Sequence, residues 1–453
     1  MFRTIGDGPS EWECGLPAEV LRLPVELAGV DALLDDPVFF APFARFFHPV
    51  LGRPSTPVEC YLRLMFLKFR YRLGYETLCA EVSDSISWRR FCRIGLDGSV
   101  PHPTTLMKLT TRCGEAAVAG LNEALWAKAA GNKLLRVSRV RADTTVIPAN
   151  VAYPTDSGLL AKAVGKLVRT ARRVQAAGGA PDTVMTDRRR AAARRVREIA
   201  SKLRSRSELG REETTAAIRE VTGELADLAG KTAAQATAAL RNGRRAAGRA
   251  PGRMRGRLRR ALDELAVTIE RTGVIISQTR IRLGGQVPDG ATRLVSLHDP
   301  DARPIRKGRI DRPVEFGYKA QVSDNDDGVI LDYAVEYGAA PDGPQLAPAI
   351  KRVTRRAGRA PRAVTADRGY GQAAVERDLY ELGVRIVAIP RQATTSAARK
   401  KLQHSRGFQN LVKWRTGFEG RISYLKRGYG WDRTRLDTRQ GAAIWCGHGG
   451  LHP

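Results

Sequence analysis

Residues 134–149, LLRVSRVRADTTVIPA, interrupt a chain whose neighbouring stretches read as helix. Val137, Val140 and Ala142 sit among polar residues, and Asp143-Thr144-Thr145-Val146-Ile147 follows. That is the pattern of one or two β-strands rather than a helical period. Every other strand candidate lies from residue 275 onward: IISQTRIRL, FGYKAQVSD, GVILDYAVEYG, AVTAD and VRIVAIP. Asp327-Gly328, between the second and third of these, reads as a hairpin turn. Helices are expected at 344–357, at 372–382 and around 417–427. Strands with interspersed helices make an α/β domain. If 134–149 belongs to that domain, which then spans 126–453, the helical residues 158–275 are an insertion in it.

Residues 1–125 read as an all-α N-terminal domain. Pro57 opens VECYLRLMFLKFRYRLG, Tyr75 to Val82 forms a second short helix, and Ser83 or Ser85 caps a third, ISWRRFCRI. Pro103-Thr104 starts another through Thr105 to Cys113. Short helices joined by tight turns suit a helix-turn-helix or a compact interaction domain, so DNA recognition and dimer formation both stay open. Arg89, Arg90 and Arg93 are the candidates to face phosphate.

Charge bears on the partner. The chain carries a net charge of +29, and neutralising phosphates with Lys and Arg releases counterions, so a chain this basic is expected to bind nucleic acid. The excess is local: 1–125 hold about 13 basic and 15 acidic residues, whereas 161–260 hold about 26 and 9. The stretch AAARRVREIASKLRSR has apolar residues three or four apart with Arg between them, and GGAPD (178–182) and GRAPGR (248–253) break the helical run. A long basic hairpin of helices fits. Its alternatives are a DNA-backbone grip and a solvated coiled coil, and the one-signed charge favours the grip.

Other classes are excluded or weakly signalled. No apolar run approaches the ~20 residues that span a bilayer, and MFRTIGDGPSEWECG lacks a signal-peptide layout, so a cytoplasmic protein without a membrane partner is expected. Six scattered cysteines form no CxxC pair, which argues against a zinc ribbon. The histidines show no HExxH spacing; His448 and His452 lie four apart in a Gly-rich tail read as a non-helical, disordered end. Gly230-Lys231-Thr232 resembles the end of a P-loop, but Leu225 stands where its first glycine is required.

Three acids stand out by setting. Asp143 lies inside an apolar strand, where a carboxylate is costly unless something positive accompanies it. Asp367 ends AVTAD and precedes a turn at Gly369, which presents it at a strand's C-terminal edge, where open α/β sheets bind ligands. Glu419 lies in GFEGRISYLKRGYG; on one continuous helix, Arg415, Glu419 and Lys426 would share a face. Phosphodiester cleavage uses two metal ions about 3.5–4 Å apart, and Mg²⁺ takes hard oxygen ligands.

VRADTTVI, VTADRGYG and RTGFEGRISYLKRGYG resemble the three acidic motifs of bacterial insertion-sequence transposases of the DDE class, most closely the insertion-sequence-five group and its relatives. The D-[RK]-G-Y turn is matched by Asp367-Arg368-Gly369-Tyr370, and the Glu with Lys seven residues on by Glu419 and Lys426. Arg415 matches an Arg four residues before the Glu in related groups. Their Tyr three residues further back is Val412 here, which points away from the sister group carrying it. The front segment RPSTPVECYLRLMFLKFRYRLGYETL resembles the helical N-terminal domain of the same proteins.

The resemblance implies an RNase H-like catalytic domain and two Mg²⁺ (or Mn²⁺) ions held by Asp143, Asp367 and Glu419. It implies DNA contacts from Arg415 and Lys426, double-stranded DNA as partner, and a homodimer or larger assembly that brings two element ends together. Relatives usually continue past the Glu helix with a further apolar segment, so a shortened end is expected. An RNase H-like nuclease and an inactive DNA-binding remnant are the rival readings.

Overall fold

The computed structural model describes residues 1–4, 15–204, 210–248, 252–307, 313–391 and 396–450. They fall into two compact units, Met1–Asn150 with Tyr318–Pro453, and Val151–Gly317.

The first unit opens on helices α1 (Val25–Leu34), α2 (Val58–Arg70), α3 (Tyr75–Asp84), α4 (Ile86–Phe91) and α5 (Pro103–Gly131). The punctuation legible in the sequence sets their ends. Pro57 precedes α2, and Ser85 Oγ accepts from the Trp88 N–H at 3.2 Å to cap α4. Gly114, at φ +63°, breaks α5 one residue past Cys113, a backbone conformation that glycine adopts without strain. Phe39, Phe43, Tyr61, Leu64, Leu67 and Leu106 form the core of this region. Arg63 is fully buried in it, paired with Asp31 at 2.7 Å and Asp35 at 2.5 Å.

Strand β1 (Arg139–Pro148) follows. The second unit then holds α6 (Asp156–Ala176), α7 (Arg189–Arg204), α8 (Arg211–Ala247), α9 (Gly252–Leu283) and the short β2 (Arg303–Arg306), which pairs antiparallel with residues 314–317. Two apolar clusters hold these helices together, one around Leu160, Val164, Leu225 and Ile275, the other around Leu167, Val174, Leu258 and Leu265. Buried Thr232, Thr268, Thr272 and Thr279 donate their hydroxyl protons to the carbonyl four residues back, so none is orphaned. IISQTRIRL, expected as a strand, is the last part of α9: Ile275 and Thr279 are both buried and stand four residues apart, a helical period that the β-branched composition masked. The break at GGAPD separates α6 from α7; the one at 248–253 lies partly outside the described residues.

The chain re-enters the first unit at Tyr318, within β3 (Val314–Asn325), and continues with β4 (Ile330–Glu336), α10 (Gly343–Ala357), β5 (Ala363–Ala366), α11 (Ala373–Glu381) and β6 (Ile386–Ala388). The hairpin turn expected at 327–328 joins β3 to β4, with Gly328 at φ +78°. The strands run in the order β3-β1-β5-β6, with β4 antiparallel on β3 and the β1–β5 and β5–β6 pairs parallel. Val140, Ala142, Val364 and Ala366 pack with Leu346, Ile350 and Leu379 of α10 and α11. Trp126, from the end of α5, joins this cluster and donates its indole N–H to the Ile330 carbonyl at 2.8 Å.

The chain closes with α12 (Ala397–His404), α13 (Arg406–Thr416), α14 (Phe418–Gly428) and α15 (Thr438–Gly449). The end is therefore helical where a disordered tail was expected, although His452 lies outside the described residues. Its glycines serve close packing rather than flexibility. A Cβ at Gly447 would stand 2.4 Å from Val118 Cγ1 and 2.5 Å from the Tyr333 hydroxyl. His448 is buried and stacks on Phe69 at 5.3 Å between ring centroids. No described helix is long and apolar enough to cross a membrane.

Candidate active site

Strands β1 and β5 pair in parallel with Val140 opposite Val364 and Ala142 opposite Ala366. One residue further along each strand stand Asp143 and Asp367. Two segments 224 positions apart in sequence thus deliver carboxylates side by side.

Asp143 is largely buried, its side chain 14% exposed. Oδ1 accepts the Thr144 N–H at 2.7 Å and Oδ2 accepts from the Arg415 guanidinium at 2.9 Å. Burial pushes its carboxyl up to about 6; the Thr144 N–H and Arg415 oppose the rise, while the charges of Asp367 and Asp342 add to it. Asp367 accepts the Gly369 N–H and caps the turn Arg368–Tyr370. A Cβ at Gly369 would lie 2.7 Å from Asp367 Oδ1 and 2.9 Å from Asp342 Oδ2, so the glycine of this turn makes room for carboxylates. Tyr370 is buried close by, and its hydroxyl accepts from the Gln321 side chain at 3.3 Å. Burial first, and then the charges of Asp342, Asp143 and Asp367, keep that phenol protonated far above its ordinary range.

Asp342 escaped the sequence reading. It precedes α10 and pairs with Lys319 at 2.6 Å. The available signal was an acid directly before Gly343-Pro344, at the mouth of an expected helix. Arg141 escaped it too. Residues two apart on a strand share a face, so Arg141 stands on the same side of β1 as Asp143. Its guanidinium grips buried Asp324 with two bonds, of 2.7 and 2.9 Å, and donates to the Trp414 carbonyl at 2.8 Å. It also lies 4.7 Å from the Trp414 ring centroid and 5.1 Å from that of Phe418. One buried cation therefore anchors the junction of α13 and α14, the junction that carries Arg415 and Glu419. Gly417 sits at that junction with Arg141 Nη1 only 3.3 Å from where its Cβ would be.

The one-helix arrangement of Arg415, Glu419 and Lys426 is corrected here: α13 ends at Thr416 and α14 starts at Phe418. Arg415 turns onto Asp143. Glu419 is exposed in the first turn of α14, and Lys426 is half-buried in the last. Among the described residues no three His, Cys, Asp or Glu side chains converge closely enough to hold a metal. Asp143 and Asp367 nonetheless fit a hard divalent ion: both are oxygen donors, adjacent by register, and Asp143 is buried beside another negative charge that a cation would relieve.

The N-terminal arginines are not brought to this site. Arg89 donates to the carbonyls of Gly95 (2.6 Å), Leu96 (3.1 Å) and Gly98 (2.5 Å), so it closes the loop after α4. Arg93 pairs with Asp35. Arg90 is exposed. Loop closure and an ion pair occupy two of the three guanidiniums that the sequence reading offered to phosphate.

Two families match the chain: "Transposase domain (DUF772)" over residues 20–112 and "Transposase DDE domain" over residues 271–448. The second match takes in Asp367, Arg415, Glu419 and Lys426, whereas Asp143 lies outside both. The chain is also 31% identical over 138 residues to the uncharacterized protein ORF8 in the nfe locus of Rhizobium meliloti. That similarity covers 29% of this chain and 65% of the relative. No solved structure gives a match.

Proposed function

Because this chain belongs to the insertion-sequence DDE transposases, we propose that it binds the terminal inverted repeats of its element, cleaves DNA there and joins the freed end to target DNA. Hydrolysis would bond a water oxygen to phosphorus and release a 3′-hydroxyl. In joining, that hydroxyl oxygen would bond to a target phosphorus and displace the target strand's own 3′-oxygen. The observation that carries the reading is the β1–β5 register, which sets Asp143 beside Asp367. The family implies an RNase H-like domain, and the mixed sheet with β1 between β3 and β5 agrees with it.

Asp143, Asp367 and Glu419 would hold two Mg²⁺ or Mn²⁺ ions, which when bound supply positive charge to the attacking and leaving oxygens of an in-line displacement. The chain's own groups do the positioning. The Thr144 N–H and Arg415 fix both oxygens of Asp143, and the Gly369 N–H fixes Asp367. Arg415 thus serves the site by orienting a carboxylate rather than by reaching for DNA. Arg141 holds the α13–α14 junction against β1 and so sets where Glu419 starts from. Lys426 is assigned to the DNA near the scissile phosphate. Two element ends must meet, so a dimer or larger assembly is part of the proposal.

Asp143→Asn, Asp367→Asn and Glu419→Gln should each abolish Mg²⁺-dependent cleavage of a duplex bearing the element's end, with affinity for that duplex changed less than about threefold, because the many distant phosphate contacts persist. Cleavage at the parent rate by any one variant removes that residue from the site.

A further inference from the structure

Lys162, Lys166 and Arg169 occupy positions i, i+4 and i+7 of α6 and so stand on one face of it. With the segment 295–298 they line a cavity of about 310 Å³ within the second unit. Among the described residues no carboxylate lines that cavity and none of the three cations makes an ion pair. Neighbouring arginines of the same helix behave differently: Arg172 pairs with Asp187 at 3.2 Å and Arg173 with Glu264 at 2.7 Å. The wall facing α6 is held in place. Arg271 donates to the Leu297 carbonyl at 2.6 Å, and Ser296 Oγ accepts the backbone N–H of Asp299 at 3.2 Å while bonding His298 Nδ1 at 2.9 Å.

We infer that this cavity is a phosphate-binding site of the second unit, separate from the aspartate pair, and that a backbone phosphate of DNA occupies it. Three like charges on one helix face repel one another, and a concave wall without counter-charge concentrates their field on whatever enters. Burial, followed by Arg271 and Arg169, lowers the affinity of Lys166 for its proton; Glu264, the carboxylate that offsets this, is already engaged by Arg173. An anion relieves that crowding. Phosphate fits because its oxygens accept several charge-assisted bonds at once, and Lys, Arg, the Ser296–His298 pair and the cavity's size suit a group of that kind. The phosphate chemistry stands on the cavity alone; DNA as its carrier rests on the transposase reading.

The test uses the full chain and three proteins: the parent, Lys162→Gln/Lys166→Gln/Arg169→Gln, and a charge-matched control, Arg190→Gln/Arg194→Gln/Arg197→Gln, on the exposed face of α7. Duplex affinity is read by fluorescence anisotropy across a salt series. The cavity variant should bind about tenfold more weakly than the control, and its log–log salt slope should drop by about two more, at roughly 0.9 per lost phosphate contact. Inorganic phosphate, at constant ionic strength, should raise the melting temperature of the parent and the control but not of the cavity variant. Should the triple variant misfold by circular dichroism, Lys162→Gln, at an exposed position, carries the same two readouts with about a third of the effect. A parent that binds no duplex yet gains stability from phosphate keeps the site and sinks the transposase reading. Equal loss of duplex affinity in the two triple variants, with no stabilisation by phosphate, overturns the proposal.

Discussion

Asp143 sits where burial disfavours the charge it would need to hold a cation. Its folded-state pKa of about 6 lies above the ordinary 3.8, so ionisation is the destabilising event. The sign follows: the penalty is absent below about pH 4, grows between pH 4 and 6, and is fully present at neutral pH. In EDTA at pH 7, Asp143→Asn is therefore expected to melt a few degrees higher than the parent, and the gap should close as pH falls to about 4. Thermal melts of both proteins across pH 4–8 check this, and a gap independent of pH would mean that the carboxylate is not strained by burial. On the proposed function the same variant is expected to cleave nothing, so stability and activity should move in opposite directions at one residue. Lys426 offers a second residue-level test. The proposed function sets Lys426 near the scissile phosphate, where its compact charge would act on local positioning, so Lys426→Ala should slow single-turnover cleavage about tenfold or more with saturating protein, when all DNA is bound. A parent-like rate under those conditions would make Lys426 a surface decoration.

Elements here are shaped by glycines that different neighbours require. Gly114 permits the break in α5, Gly369 clears space for two carboxylates, Gly417 lets Arg141 approach the α13–α14 junction, and Gly447 seats α15 against α5 and β4. The last of these supports a sharp expectation. Gly447→Ala forces a methyl into Val118 and Tyr333, and overpacking of that kind costs about 1–3 kcal/mol. Urea denaturation should show the loss as a lower midpoint. An unchanged midpoint would mean that α15 yields without cost. The tail reads as loop in the sequence because Gly-rich composition ordinarily signals a loop. Here Trp445, Cys446 and His448 are buried, Trp445 and His448 against Phe69 of α2, and that burial decides for helix.

On the scale of the whole molecule, the basic excess of the middle residues coexists with a proper apolar interior. The second unit has two apolar clusters, and several of its arginines are neutralised at home, as in Arg195–Glu224 at 2.9 Å and Arg280–Asp227 at 3.2 Å. It is more than a solvated coil, and only part of its charge is free for DNA. Removing roughly residues 160–270 should still lower non-specific duplex affinity by an order of magnitude or more at 0.1 M salt and flatten the salt slope. Anisotropy titrations from low to moderate salt read both, and an unchanged slope would place the grip in the first unit.

The sequence by itself determined most of the alternation of helices and strands, the place of most breaks and the choice of candidate acids. Local rules fix these: Pro57, Ser85, Gly114 and Gly328 act on their own neighbours, and Asp367-Arg368-Gly369-Tyr370 is a turn complete in four residues. Where local pattern was ambiguous, as in IISQTRIRL, only burial against other helices decided. Tertiary structure alone determined what the acids meet. The β1–β5 register joins residues 143 and 367, Arg415 closes on Asp143 from a helix that ends before Glu419, and Asp342 arrives from the mouth of α10. Charge pairing at such separations depends on which strands become neighbours, and no window of sequence contains that choice.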